Sequence, residues 1–372
     1  MILYYRNNKK EIRTLKHYRS TRAEISSDNL LHNFHYLQTR LHAGALMPVI
    51  KADAYGHGDV FAAKTLQQHC HFFAVALIEE ALKLRASEVA TPVVILEGVY
   101  TTEAFEVCSK EHLIPVIHCQ EQLYIYCQVP AESRPSCWLK LDIGMHRLGF
   151  NHQQIDKAWN TASKHSKTPV VLCGHFSSAD SEKPDDIADQ LALFQQVQSR
   201  LNCDASLANS PAILQWPSSH VAWNRAGIGL YGVSANQYSM RPAELKPVMK
   251  LIASVLAIRE IPIGAQVGYG GTWVAKRTST IATIGIGYAD GYPRHASNGA
   301  PVWVNGKIAH VVGKVSMDMI SIDVTDCEDV DINTEVELWG NNLPVEDVAD
   351  HCGTIGYELV TRISSRVPRV YK

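Results

Sequence analysis

The segment VIKADAYGHG at residues 49–58 places a lysine directly after a short apolar run. Lysine rarely continues a buried strand without a partner, so Lys51 at the end of a strand suggests a functional amine. Such an amine can form a Schiff base or act as a general base. Tyr55 follows four residues later, and glycines flank His57 in a flexible turn. Taken alone, a lysine in this position more often forms a surface ion pair.

Polar side chains also lie at the ends of later apolar runs. They are Asp142 and Arg147 in KLDIGMHRLGF, His175 in GHFSSAD, Asn209 and Ser210 in ANSPAIL, and Arg225, Gly227 and Ile228, which precede or begin GIGLYG. Each has an ordinary alternative, because a single histidine is more often a hydrogen-bonded core residue and a single arginine more often a structural salt bridge. Only their joint placement at strand ends suggests one site.

Alternating apolar runs and helical patterns must position these side chains. Ser26-Ser27-Asp28 can cap a first helix, and helical patterns such as EEALKLRASE (79–88) separate most of the runs that follow. The eight predicted strands are MPVI (47–50), FFAVAL (72–77), PVVIL (92–96), LIPVI (113–117), CWLKLDI (137–143), VVLC (170–173), SLANS (206–210) and GIGLYG (227–232). Their lack of polar alternation is typical of parallel strands covered on both faces. The fold class is therefore α/β, and we predict an eight-stranded β/α (TIM) barrel with catalytic side chains at the carboxyl ends of its strands.

Strand patterns dominate after about residue 243 and predict a second, mostly β domain. Asn305-Gly306 between two apolar runs is a strong β-hairpin signal, and PVEDVADHC predicts one short helix. We predict three parts: an N-terminal extension and strand joining the C-terminal domain (1–26), the barrel (27–243) and the β domain (244–372).

Composition excludes several classes of function. The chain has 372 residues and a net charge of −2, without the basic excess of a nucleic-acid-binding protein. No apolar run reaches the roughly 18–20 residues of a membrane span. Nine cysteines without a CxxC pair predict reduced thiols and a cytoplasmic protein. Because no second pair matches His69-Cys70-His71, we predict no metal site.

One cofactor suits the residues that a barrel would bring together. Pyridoxal 5'-phosphate needs a lysine for its Schiff base, a partner for its pyridine nitrogen and a phosphate site. Barrels commonly bind phosphate in the loops after the last two strands. There Ser210 offers a hydroxyl, and Gly227-Ile228 offer backbone amides that a ligand can approach closely.

The sequence resembles the alanine racemase family from about Thr21 to Lys372. VIKADAYGHG is similar to the pyridoxal-lysine motif of that family. Further blocks in the same order are KLDIGMHRLGF, GHFSSAD, ANSPAIL, WNRAGIGLYG, VGYGGTW, TIGIGYADGYPR, VSMDMISIDV and IGYELVTRISSRVPR. The resemblance implies a barrel with a C-terminal β domain, pyridoxal phosphate as cofactor, alanine as substrate, and a homodimer whose active sites are shared between subunits.

Carried over residue by residue, the resemblance implies these roles. Lys51 would bind the cofactor and act as one catalytic base, and Tyr269 would be the second base, supplied from the other subunit. The cofactor-binding residues would be Lys51, Tyr55, Arg147, His175, Asn209, Ser210, Arg225, Gly227, Ile228 and Tyr357, and the substrate-binding residues Arg147, Met317, Asp318 and Tyr288. Racemisation favours two opposed bases, because a single base tends to return the α proton to the face it left.

Arg225 would face the pyridine nitrogen and Arg147 the phenolate oxygen, while Lys140 matches a lysine that is carbamylated in some members. Three departures from the family pattern are Asp53, where asparagine is common, Ser316 before Met317, where cysteine is frequent, and His146, where part of the family has glycine. None removes a catalytic group.

The reaction that the resemblance implies is the interconversion of L-alanine and D-alanine, an isomerase activity that supplies D-alanine for peptidoglycan. The alternatives are a racemase of broader specificity for serine or lysine, and a barrel-type pyridoxal phosphate decarboxylase. A non-enzymatic pyridoxal-binding protein would have the barrel alone, so the β domain with Tyr269 and Tyr357 argues against it.

Overall fold

The computed structural model describes residues 18–181, 183, 185–234 and 242–372. The predicted N-terminal extension lies outside these ranges up to residue 17. Strand β1 (Arg22–Ile25) is followed by helix α1 (Ser27–Thr39). Ser26 Oγ accepts a hydrogen bond from Asn29 N at 3.1 Å, which is the capped helix start that the sequence predicts.

Eight parallel strands form a closed barrel. They are β2 (Ala45–Pro48), β3 (Phe73–Val75), β4 (Val93–Ile95), β5 (Leu113–Ile117), β6 (Trp138–Lys140), β7 (Val171–Cys173), β8 (Ala205–Ser206) and β9 (Trp223–Ala226). The pairing order is β2-β9-β8-β7-β6-β5-β4-β3, and a parallel bridge between Val49 and Ala74 closes the ring next to β2 and β3. The predicted barrel is confirmed.

Helices alternate with these strands. They are α2 (Lys51–Tyr55), α3 (Asp59–Leu66), α4 (Ile78–Ala86), α5 (Thr102–Lys110), α6 (Gln120–Gln128), α7 (Ile155–His165), α8 (Asp185–Leu201) and α9 (Ser210–Gln215). Strands such as β4 are completely buried, and burial of each of its aliphatic side chains contributes about 1.5–3 kcal/mol. Among the helices of the described residues, none is long and apolar enough to cross a membrane.

The eighth strand lies earlier in the chain than predicted. Residues 228–231 of the run GIGLYG form a 3-10 turn instead, and the strand is β9. Gly232 ends the turn at φ 71°, in the left-handed region that strands do not use. Arg225 therefore lies within the eighth strand, while Gly227 and Ile228 follow its carboxyl end.

The remaining elements form a mostly β region around a second eight-stranded sheet. They are β10 (Met249–Ile261), β11 (Gln266–Val267), β12 (Trp273–Val274), β13 (Ser279–Ile284), β14 (Pro301–Val304), β15 (Lys307–Val312), β16 (Ile320–Asp323), β17 (Glu335–Trp339), α10 (Val345–Cys352), α11 (Gly356–Thr361) and β18 (Arg369–Tyr371). Strand β1 joins this sheet between β10 and β18. The predicted hairpin is present, since Asn305 (φ 43°) and Gly306 (φ 85°) connect β14 to β15.

Candidate active site

The turn that carries Lys51 and Tyr55 is left-handed. The φ angles of Ala52, Asp53, Ala54 and Tyr55 lie between 52° and 54°. Gly56 N donates to Ala52 O at 3.0 Å, so the turn has helical hydrogen bonding of reversed hand. Each non-glycine residue in this conformation costs about 1–2 kcal/mol, so the four together store roughly 4–8 kcal/mol of strain. Strain of this size persists only where surrounding contacts hold the backbone, and it is concentrated at functional sites.

Lys51 begins this turn, after Val49 and Ile50 have followed the first barrel strand. Its burial lowers the pKa of the Lys51 amine, and the charges of Arg147 and Arg225 lower it further, whereas Glu97 and Glu80 partly oppose them. A lowered pKa increases the fraction of neutral amine, which is the form that attacks a carbonyl carbon or removes a proton.

Arg225 is a nearly buried cation held inside the barrel, with 4% of its surface exposed. Nη1 donates to Ser206 Oγ at 2.7 Å, and Nη2 donates to the carbonyl oxygens of Gly174 at 2.7 Å and Leu207 at 3.0 Å. Nη2 also lies 3.2 Å from His175 Nδ1, which must accept because guanidinium only donates. Burial, and then the charge of Arg225, hold the pKa of His175 well below its ordinary value. His175 is therefore neutral beside a fixed positive charge.

A group of hydrogen-bonding atoms converges after strands β8 and β9. Ser210 Oγ accepts from Gly227 N at 2.9 Å and from Gly229 N at 3.2 Å. A Cβ on Gly227 would lie 2.8 Å from the Tyr55 hydroxyl oxygen, so only glycine leaves this space open. Asn209 caps α9 through its side chain, which accepts from Ala212 N at 3.2 Å.

Two tyrosines complete this group from different parts of the chain. Tyr357 on α11 packs against Tyr55, with ring centroids 6.2 Å apart. Burial raises the pKa of Tyr55 to about 12 and also raises the pKa of Tyr357. Both hydroxyls therefore remain protonated and can donate, as recognition of a phosphate group requires.

Lys140, Arg147 and His175 line one small cavity at the ends of β6 and β7. Burial lowers the pKa of Lys140, and the charges of Arg225, Arg147 and Lys51 lower it further. So many cationic groups at one mouth favour an anionic ligand. Asp142 instead stabilises the loop that follows it, because its Oδ1 accepts hydrogen bonds from Gly144 N and His146 N, both at 3.0 Å.

Tyr269 is an exposed side chain of the β region. It lies in a 3-10 turn between β11 and β12, and its side chain is 71% exposed. The Tyr269 hydroxyl makes no hydrogen bond to the residues that the structure describes. An exposed tyrosine of this kind is available to a second molecule.

The predicted substrate-binding residues other than Arg147 form an exposed group in the β region. Tyr288 N donates to Ser316 O at 3.0 Å, which places the Tyr288 turn against the segment carrying Met317. The side chains of Tyr288 and Met317 are 41% and 53% exposed. Asp318 Oδ1 accepts from Arg366 Nη2 at 2.7 Å. These residues are therefore ordered by backbone contacts while their side chains face outward.

Sequence analysis missed Glu80, whose carboxylate contacts the turn after Lys51. Its only sequence signal is its place in the first turn of a helix, where a glutamate is common. The partners of Arg225 were missed too, because Ser206 lies on β8 and the Gly174 carbonyl lies directly after β7.

Two family models together match most of the chain. The model for the N-terminal domain of alanine racemase matches residues 25–235, and that for its C-terminal domain matches residues 248–371. An alanine racemase from Alteromonas mediterranea is 46% identical over 354 residues, which is 95% of this chain and 99% of that protein.

Solved structures agree with the sequence relatives. The biosynthetic alanine racemase from Pseudomonas aeruginosa superposes with a TM-score of 0.91 at 37% identity, covering 95% of this chain and 99% of that one. The alanine racemase from Bartonella henselae, solved with covalently bound pyridoxal phosphate, superposes with a TM-score of 0.87 at 32% identity. The match covers 95% of this chain and 99% of that one.

Proposed function

This chain belongs to the alanine racemase family of isomerases, and from that premise we propose that it interconverts L-alanine and D-alanine with pyridoxal phosphate as its cofactor. The D-alanine would supply peptidoglycan synthesis in the cytoplasm. The observation that carries the proposal is the barrel mouth itself, where an amine of lowered pKa lies among cationic and hydroxyl groups that suit one anionic cofactor.

The residues present fit this cofactor. Pyridoxal phosphate, when bound, withdraws electrons from the Cα of an attached amino acid and so acidifies its α proton. Lys51 would hold it through Nζ. The residues that would hold its phosphate are Tyr55, Ser210, Gly227, Ile228 and Tyr357, with Asn209 beside them. The open space at Gly227, bordered by the Tyr55 hydroxyl, supports this assignment.

Two bases would move the proton. Lys51 Nζ would take or return the α proton on one face of the amino acid, and the partner subunit's Tyr269 would do so on the other. The partner subunit is needed in this proposal because Tyr269 of the same chain is exposed and hydrogen-bonds to none of the described residues. A homodimer would bring the tyrosine of each subunit to the lysine of the other.

Arg225 would limit how strongly the cofactor ring withdraws electrons. Guanidinium does not give up its proton, so a pyridine nitrogen that faces it stays unprotonated. Ser206, Gly174 and Leu207 hold Arg225 in place through its Nη atoms. Arg147 would contact the phenolate oxygen, His175 would lie against the ring, and Arg147, Tyr288, Met317 and Asp318 would bind the substrate.

Tyr269→Phe provides the main test, with Tyr124→Phe as its control. Tyr124 lies on α6 and is 65% exposed, so its substitution also removes one exposed hydroxyl. We expect Tyr269→Phe to keep the visible band of lysine-bound cofactor while the rate of alanine racemisation falls about 10²–10⁴-fold, the usual contribution of general acid–base catalysis. Lys51→Ala should lose both the visible band and the racemisation activity.

Chiral chromatography of L-alanine, L-serine and L-lysine incubations measures the rates, and carbon dioxide release measures decarboxylation. Faster turnover of serine or lysine than of alanine, or release of carbon dioxide, would replace the proposed reaction by one of the alternatives. Normal racemisation by Tyr269→Phe would refute the two-base assignment.

A further inference from the structure

The Glu80 carboxylate joins two loops of the barrel. Oε2 accepts from Ala76 N at 2.8 Å and Leu77 N at 3.1 Å, and so caps the helix α4 that contains Glu80. Oε1 accepts from Ala52 N at 2.6 Å, in the left-handed turn after Lys51. One oxygen thus caps the helix, and the other binds the amide of Ala52, which lies 28 residues away in the chain.

Lys83, less than one helical turn further along α4, contacts the same left-handed turn. Its Nζ lies 3.0 Å from Asp53 Oδ1 and 2.6 Å from Asp59 Oδ1. Asp59 is buried, and its backbone N donates to Asp53 Oδ1 at 3.2 Å. Helix α4 therefore contacts two consecutive residues of the turn, Ala52 through Glu80 and Asp53 through Lys83.

These contacts matter because the backbone strain of the turn opposes its internal hydrogen bonds. Left-handed conformations of non-glycine residues are unfavourable, so external hydrogen bonds must select them. Lys51 and Tyr55 lie four residues apart at the two ends of the turn, and a shift of the turn would move both side chains. Ala52, whose amide Glu80 binds, follows Lys51 directly.

We propose that Glu80 is a positioning residue for Lys51, acting through the Ala52 amide to keep the amine at the barrel mouth. The catalytic part of this inference rests on the function proposed above. The contact between Glu80 and the Ala52 amide does not depend on that function. The contact and its effect on catalysis can therefore be tested separately.

Glu80→Gln separates the two roles of the carboxylate. Glutamine also caps helices at this position, so its oxygen can still accept from Ala76 and Leu77. Its amide nitrogen would then face Ala52 N–H, and two donors cannot bond to each other. Glu79→Gln is the matched control, because Glu79 is exposed, precedes Glu80 directly and carries the same charge.

The experiment compares the full-length holoenzymes. We expect Glu80→Gln to lower kcat for alanine by up to about 100-fold, the scale of a 1 Å misplacement, with a smaller change in KM. Amide hydrogen exchange at residues 52–56 should accelerate in Glu80→Gln and stay at the wild-type rate in Glu79→Gln. Because Glu80 raises the pKa of Lys51, the pH profile of pyridoxal phosphate addition to the apoenzyme should move to lower pH.

The outcomes distinguish the two proposals. If the wild type binds pyridoxal phosphate on Lys51 but does not racemise alanine, the proposed function fails, and the exchange rates and pH profile still decide the role of Glu80. If Glu80→Gln equals Glu79→Gln in kcat, exchange and pH profile, the positioning role is overturned. A lower melting temperature as the sole difference would likewise overturn it and leave Glu80 as a helix cap.

Discussion

Ala52→Gly should stabilise this protein, although alanine-to-glycine changes in helices usually destabilise. Ala52 has φ 52° and ψ 51°, and its side chain is exposed, so the lost methyl group removes little buried contact. Relief of the left-handed conformation contributes about 1–2 kcal/mol. The added freedom of glycine in the unfolded chain costs about 0.5–1 kcal/mol. The free energy of unfolding should therefore rise by about 0.5–1 kcal/mol.

Ala188→Gly is the control for this prediction. Ala188 is also exposed, but it lies in the ordinary right-handed helix α8. There the same substitution should lower the free energy of unfolding by about 1 kcal/mol. Urea unfolding without added cofactor measures both, and the variants should differ by about 1.5–2 kcal/mol. If Ala52→Gly destabilises as much as Ala188→Gly does, the argument from backbone strain is refuted.

Two further predictions concern a buried histidine and the arginine of the barrel. Burial lowers the pKa of His57 from 6.5 to about 4. The contribution of neutral His57 to the free energy of unfolding is therefore fully present above pH 6.5 and is lost as the pH falls toward 4. The loss reaches about 3 kcal/mol. His57→Gln should flatten the dependence of the free energy of unfolding on pH in this range. An unchanged slope, measured by urea unfolding at several pH values, contradicts the prediction. Arg225→Glu should raise pyruvate formation relative to racemisation, because a carboxylate can accept a hydrogen bond from a protonated pyridine nitrogen. An unchanged ratio, with pyruvate measured by lactate dehydrogenase, would count against the role of Arg225.

Local patterns predicted most of the elements. Seven of the eight barrel strands overlap the apolar runs that predict them, β8 at Ser206 alone, and the Asn305-Gly306 hairpin and the start of α1 follow from turn and cap preferences. The eighth strand was misplaced because an apolar, glycine-rich run can be a buried turn as well as a strand. The true strand β9 contains Asn224 and Arg225, whose polarity conceals it.

Two departures from the family pattern also have a local explanation. Asp53 (φ 53°) and His146 (φ 55°) both adopt left-handed conformations. Asparagine, aspartate and histidine enter this region more readily than most residues, and glycine enters it freely. The backbone conformation would suit the asparagine at the first position and the glycine at the second that the resemblance to the family implies.

The sequence by itself determined the alternation of strands and helices and the residue types of the candidate site, because period, caps and turns depend on neighbours in the chain. Only the tertiary structure decided that Tyr55, Ser210 and Gly227 meet, that Arg225 bonds to three other strands or loops, and that Glu80 holds the turn after Lys51. It also decided the left-handed conformation of that turn. A run of four non-glycine residues does not favour this conformation on its own, and hydrogen bonds from residues distant in the chain select it.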